Sequence, residues 1–294
     1  MNETFAFSNA LIRKPLTMIA QFFCDEGGKY QSGKLVSFVG LIASPPRLKD
    51  FDEEWKATLH SYELPAFHMM ELADVHSAHG PKFPRDRTGP QTIEALEPFA
   101  DCINKHLEVG LIQVWSVNAY VSMPTEAKAR LGGSCNDPHY LAFIRGVLEA
   151  VNWIEAVDRL SVVCDDDKAK AWDFYLHYRA ICDAVPELRK KLVALTFAQD
   201  ENFPALQAAD MVAFLSRKEA LAEFQSKTSD WTPLFSYLTT DPEPSKGFMS
   251  WYRIFAGEKE LLALANSLDK PLAGEKPSQR QKEKRASPDS SNAR

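Results

Sequence analysis

No stretch of the 294 residues approaches the roughly 20 uninterrupted apolar positions that a membrane helix needs, so no membrane partner is expected. The opening Met1-Asn2-Glu3-Thr4 lacks the basic start and apolar core of a secretory signal. Cysteine is sparse: Cys24, Cys102, Cys135, Cys164 and Cys182 are scattered, odd in number and never spaced as CxxC. That pattern gives no disulfide framework, and a reduced, cytoplasmic compartment is expected. A basic surplus is also missing, since 34 Lys and Arg face 40 Asp and Glu for a net charge of −6. The chain is therefore no polycation drawn to phosphates by its whole surface, although a local basic groove remains compatible with that balance. The clusters Arg13-Lys14, Lys82 with Arg85 and Arg87, Arg189-Lys190-Lys191 and Arg217-Lys218 each read first as solvated surface. There is no internal repeat.

What is present is a globular composition, 45% hydrophobic and 25% charged, in a chain long enough for one large domain or two small ones. The run from Leu16 to Cys24 is apolar on both parities, as in a central strand covered on both faces. Gly27 to Gly33 is turn-rich, Leu35 to Ala43 reads as the second strand of a hairpin, and Pro45-Pro46 closes it. A short helix with Trp55 and Leu59 follows, and Pro81 to Pro90 is a loop by composition. Helical spacing returns at Ile93, Leu96, Ala100, Ile103 and Leu107, followed by a strand over Leu111 to Val121. Pro138 opens a long helix with Tyr140, Ile144, Val147, Val151 and Ile154 on one face. Then come a strand over Leu160 to Cys164, a helix over Lys168 to Ala184, a strand over Leu192 to Phe197 and a helix opened by Pro204. Helical patches such as Ser250 to Phe255 and Lys259 to Leu268 end the pattern, and the chain from about Gly274 has almost no apolar residues. Hairpin strands followed by alternating helices and strands predict an α/β sheet of mixed direction.

Charge sits where this pattern would bury it. Two apolar runs end in acid, at Asp25-Glu26 and at Asp165-Asp166, and Asp210 interrupts the helical run Leu206 to Phe214. Carboxylates in such places are costly unless something compensates them, and a divalent metal does so. Strand alternation sends Asp25 and Glu26 to opposite faces, and likewise Asp165 and Asp166, without choosing between them. The first acid beyond each run is the one the sheet holds most firmly, which favours Asp25 and Asp165. A competing reading is local: acids ahead of a helix cap it, and Asp166 or Asp167 suits that role before Lys168. Asp210 resists such an account, because aspartate is a poor interior helix residue. Gln207 one turn earlier is placed to hydrogen-bond it, and Arg217 lies two turns on. Hard oxygen ligands without cysteine or histidine at matching spacing select Mg²⁺ or Mn²⁺. A pair of such ions clamps an in-line phosphoryl displacement, so metal-assisted phosphodiester hydrolysis is the chemistry expected.

Asp25-Glu26-Gly27-Gly28 resembles the Asp-Glu-Ser-Gly opening of the family called domain of unknown function 3800. Leu206-Gln207-Ala208-Ala209-Asp210 resembles its closing Leu-Gln-x-Ala-Asp helix, and Asp165 falls at its middle acid. The resemblance covers about residues 16 to 220. It implies an RNase H-like fold, a mixed five-stranded sheet flanked by helices, with acids on the first strand, the fourth strand and the last helix. It also implies a metal-dependent nuclease acting on nucleic acid, with Asp25, Asp165 and Asp210 as catalytic metal ligands. Gly27 replaces the usual serine. Gln199-Asp200-Glu201 occupies the stretch where the family commonly carries an Asp-Ser pair, which offers Asp200 as a fourth acid. The expected organisation is an RNase H-like domain over 1–220 with a helical insertion at about 46–90, a helical C-terminal extension over 221–272 packed on it, and a disordered tail over 273–294.

Glu26, Asp166, Asp200, Gln207, His68 and Glu71 are the expected supporting residues. Phe67-His68-Met69-Met70-Glu71, with Asp74, His76 and His79, gathers three of the seven histidines. No HExxH motif appears there, so the cluster reads as a polar loop, with a zinc-centred hydrolase or a supporting role for His68 or Glu71 as its functional alternatives. Against the nuclease stands a non-catalytic RNase H-like module that binds nucleic acid or a protein.

Overall fold

The computed structural model describes residues 19–27, 34–74, 82–84, 89–130, 138–154, 159–166, 170–240 and 249–267. The chain opens with a hairpin, β1 (Ile19–Gly27) and β2 (Leu35–Ala43), and α1 (Pro45–Ser61) follows at once. Pro45 and Pro46, expected to close the hairpin, instead occupy the first turn of α1, where a missing N–H costs nothing. Next come α2 (Met69–Leu72), α3 (Pro90–His106), β3 (Val109–Ser116), α4 (Val117–Ser122), α5 (Thr125–Arg130) and α6 (Pro138–Trp153). Then follow β4 (Arg159–Asp165), α7 (Ala171–Ala184), α8 (Pro186–Lys191), β5 (Leu192–Ala198) and a 3-10 turn at Asp200–Asn202. The last elements are α9 (Pro204–Phe224), α10 (Thr232–Thr239), β6 (Ser250–Ala256) and α11 (Glu258–Ser267).

The strands form one mixed sheet in the order β5-β4-β1-β2-β3-β6. β1 pairs antiparallel with β2 and parallel with β4, β2 pairs antiparallel with β3, and the β4–β5 and β3–β6 pairs are parallel. β2 alone therefore runs against its neighbours. The α/β class holds, but the sheet has six strands where five were expected. The sixth is β6, expected as a helical patch. It lies beside β3, so the sheet crosses the expected boundary at 220 and the C-terminal extension is not purely helical. Two more expectations are corrected. The strand expected over Leu111 to Val121 stops at Ser116, whose hydroxyl accepts the Ala119 N–H and starts α4. The helix expected from Lys168 begins at Ala171. Residues 273–294 lie outside the described residues.

Every residue of β2 is buried, as expected of a strand covered on both faces. On one face Phe23, Val39, Leu41, Ile112, Val114 and Val163 pack beneath α1, α3, α9 and α10. On the other, Phe22, Cys24, Val36, Phe38, Val162 and Cys164 pack against α6, α7 and α11. This two-sided core settles what alternation left open. Asp25 and Asp165 share parity with Phe23 and Val163, so both leave their strands on the α9 side. Glu26 shares parity with Cys24 and points the other way.

The segment expected as an insertion is anchored by aromatic packing. Trp55, Phe67 and Phe99 are fully buried, and their ring centroids lie 4.9–5.3 Å apart. Burial of each such ring contributes roughly 1.5–3 kcal/mol. The cluster fixes Phe67 and thereby the start of α2. Among the described residues no helix is long and apolar enough to cross a membrane.

Candidate carboxylate metal centre

β1 and β4 are neighbours in the sheet, and the last paired positions between them are Cys24 and Cys164. Asp25 and Asp165 are the next residue on each strand, so they emerge side by side at the same end of the sheet. α9 crosses this end. It is buried almost all round through Ser216, which explains its apolar sequence. Asp210 breaks that apolar surface where the helix passes over the two strand ends. The three acids meet in a cleft of about 240 Å³ that is also lined by His68, Met70, Glu71, Asp200 and Leu206.

The far wall of the cleft comes from the segment around α2, held by Gln207. Its side chain is buried, and its Oε1 accepts the Trp55 indole N–H at 2.9 Å and the Phe67 backbone N–H at 3.3 Å. Its Nε2 donates to the Asp200 carbonyl at 3.0 Å, tying the 3-10 turn to the same helix. Gln207 is therefore committed to the frame of the cleft rather than to Asp210, the partner expected for it. Asp210 Oδ2 instead accepts the Met69 backbone N–H at 2.8 Å. Asp200, the expected fourth acid, lines the cleft, and its Oδ2 lies 3.1 Å from His68 Nδ1.

Two further acids sit elsewhere. Glu26, on the opposite face, accepts a hydrogen bond from Lys170 Nζ at 2.7 Å. Asp166 extends the strand pairing through its N–H to the Ala198 carbonyl, and Lys170, with no side-chain cap, occupies the N-cap position of α7. Asp166 thus neither enters the cleft nor caps that helix. Asp167, His76 and His79 lie outside the described residues, and with them two of the three histidines of the expected cluster. His68 belongs to the acidic cleft.

The electrostatics show charge that is only partly compensated. Asp25 is held well above the usual carboxylate range by burial and then by repulsion from Asp210, Glu26 and Asp165. Burial pushes Asp210 up to about 6, opposed chiefly by the Met69 N–H and aggravated by Asp200. Among the described residues no group of three or more His, Cys, Asp and Glu side chains is placed so that it could hold a metal ion.

The sequence left several contributors unnoticed. Met70 and Leu206 line the cleft, and the Met69 N–H satisfies Asp210. No local pattern marks a backbone N–H that meets its acceptor 141 positions away in the chain. The chain matches no protein-family model and no curated protein with which it was compared.

Proposed function

We propose that the chain is a Mg²⁺- or Mn²⁺-dependent nuclease whose centre is formed by Asp25, Asp165 and Asp210. The observation that carries the reading is the meeting of these acids, from two strands and one helix, in a single cleft with Asp200. Further support comes from a mixed sheet with acids on its first strand, its fourth strand and the helix that follows β5, as in the layout implied by the resemblance to domain of unknown function 3800, although the sheet has six strands rather than five.

The donor set suits such an ion. It is almost wholly carboxylate oxygen, as hard cations require, and the buried repulsion at Asp25 is the kind of charge a divalent cation relieves. Asp25, Asp165 and Asp210 would hold the ion, with Asp200 or Glu71 available at the rim. Bound there, a divalent ion lowers the pKa of a water nucleophile and neutralises charge on a phosphodiester.

The chain's own residues do the rest. The sheet end and α9 fix the acids on rigid elements, and Leu206 keeps the inner wall apolar, which strengthens every charge interaction in the cleft. The Met69 N–H sets the orientation of Asp210. His68, oriented by Asp200, presents its ring to the cleft, where an imidazole can accept or deliver a proton.

The test is cleavage of labelled single-stranded RNA and DNA with Mn²⁺ by wild type, Asp25→Asn and Asp210→Asn. Each substitution should reduce cleavage more than the roughly 10- to 100-fold typical of losing an outer partner of a metal site. Cleavage that persists undiminished in Asp210→Asn overturns the assignment. Calorimetric titration of wild type with Mn²⁺ separates the nuclease from a binding module, which has no use for the ion.

A further inference from the structure

Arg217 lies two turns beyond Asp210 on α9, so its side chain leaves the helix on the same side and reaches toward the end of β1. A Cβ at Gly27 would collide with Arg217 Nη1 and with Ser37 Oγ, so the guanidinium lies directly over the glycine. Gly27 and Ser37 are paired across β1 and β2, and Gly27 shares its face with Asp25. The glycine that departs from the Asp-Glu-Ser-Gly pattern is thus the residue that lets an arginine approach the acids.

The guanidinium is half-buried, and burial lowers its pKa while Asp210 and Asp25 pull it back up. Even so, among the described residues it makes no ion pair, and its hydrogen bonding is a long 3.9 Å contact from Nη2 to Met70 Sδ. Five N–H donors on a partly desolvated cation call for acceptors. Beside it, Ser37 Oγ is fully buried and has no hydrogen-bond partner, an unusual cost in a packed sheet. Met70 joins this point to both the acidic cleft and a larger groove of about 750 Å³, whose lining includes Lys218, Lys227, Thr228 and Ser229.

We infer that Arg217 binds a phosphate of the nucleic-acid strand as it passes from the larger groove into the carboxylate cleft, with Ser37 Oγ available to brace the inner edge of the guanidinium. Arg217 supplies the positive charge that the acids withhold from a polyanion, and its planar fork matches two phosphate oxygens. The inference rests on the nuclease reading for its ligand, a phosphodiester strand.

The test measures binding of fluorescein-labelled single-stranded RNA and DNA by anisotropy across a salt series, with Ca²⁺ in place of Mn²⁺. Arg217→Gln should weaken binding roughly 10- to 100-fold, the effect of one charge-assisted contact. It should also make the dependence of log affinity on log salt shallower by about 0.7, the share of one phosphate contact on a single strand. Arg217→Lys should restore the salt slope but only part of the affinity, because a point charge replaces a fork. Mn²⁺ affinity, by calorimetry, should survive both substitutions. Unchanged affinity and slope in Arg217→Gln would mean that the guanidinium only offsets the acids, and would overturn the inference even if Mn²⁺-dependent cleavage persists. An Arg217-dependent slope in a wild type that neither binds Mn²⁺ nor cleaves would keep the phosphate contact and remove the nuclease reading instead.

Discussion

Glu54 on α1 and Asp210 on α9 are both acids on packed helices, and their surroundings treat the charge in opposite ways. Glu54 Oε2 receives Lys105 Nζ at 2.6 Å and His106 Nε2 at 2.7 Å, both from the last turn of α3. Its carboxyl is held below the usual range, first by the His106 hydrogen bond and then by Lys105. Asp210 has other acids for company, one backbone N–H as its short contact, and a pKa pushed up to about 6. An acid that serves only packing is given a cation. Around the cleft, Asp25, Asp165, Asp200 and Asp210 are gathered together, and His68 and Arg217 only partly offset the burial that raises Asp210. A fold gains nothing from that arrangement by itself, which is why it points to a ligand of opposite charge.

The strongest way to break the contrast is to remove the frame that creates it. Gln207→Ala strands the Trp55 indole N–H and the Phe67 N–H, both in buried settings, and removes one of the two donors to the Asp200 carbonyl, which keeps the Phe203 N–H. At roughly 1–3 kcal/mol for each unsatisfied group, the expected loss is about 4 kcal/mol, read as a lower urea midpoint. Because Phe67 and Met69 are adjacent to His68, the cleft wall should loosen as well, admitting water to Asp210 and returning its carboxyl toward the ordinary range. If Gln207→Ala unfolds at the wild-type midpoint, the frame does not hold the wall.

A second test acts on the carboxyl itself. A carboxyl raised in the fold is protonated there before it is protonated in the unfolded chain. Its contribution to stability is therefore full below the ordinary value of 3.8 and is lost as pH rises through about 6. That shift corresponds to about 3 kcal/mol at 1.36 kcal/mol per pKa unit. In the presence of a chelator, wild type should lose about this much stability between pH 4 and pH 7 relative to Asp210→Asn, and the variant should be the more stable protein at neutral pH. Urea unfolding at a series of pH values measures the difference. Parallel curves for the two proteins would show that the charge on Asp210 costs the fold nothing.

Much of this site was legible in the chain. Asp25 and Asp165 stand out because apolar runs end on them, and Asp210 because it interrupts a helix that is buried all round. Alternation could not choose between Asp25 and Glu26, since a strand covered on both faces carries none to read, and Asp25 was favoured only as the first acid beyond its run. The choice was decided by α9 lying over the Phe23 side. The wall bearing His68 was hidden for another reason: Gln207 reaches Trp55 and Phe67 across 152 and 140 positions, and no window of sequence contains such a pair. β6 escaped notice because an edge strand is only partly covered and its residues show no clean alternation of burial. The end of β3 did have a signal, a serine at position 116 able to cap a helix, but Val117, Tyr120 and Val121 continue the apolar run and mask it.

The smallest effect is expected at Glu54, and its sign carries the point. Its lowered pKa means that its contribution is present above the ordinary carboxylate value, 4.5 for this group, and fades as pH falls through the lower value held in the fold. The side chain is about a third exposed, at 36%. Solvent therefore screens the pair with Lys105, and the contribution should be no more than about 1 kcal/mol. Glu54→Gln should accordingly destabilise the protein slightly at neutral pH and be neutral near pH 3, and it should leave Mn²⁺-dependent cleavage unchanged. Asp210→Asn should do the reverse on every count, stabilising the metal-free fold at neutral pH and removing cleavage. Opposite signs from two acid-to-amide changes on neighbouring helices are difficult to produce by general surface charge, because the net charge changes by the same amount in both. Equal signs would mean that the acids of the cleft are ordinary structural carboxylates, already balanced by the protein around them.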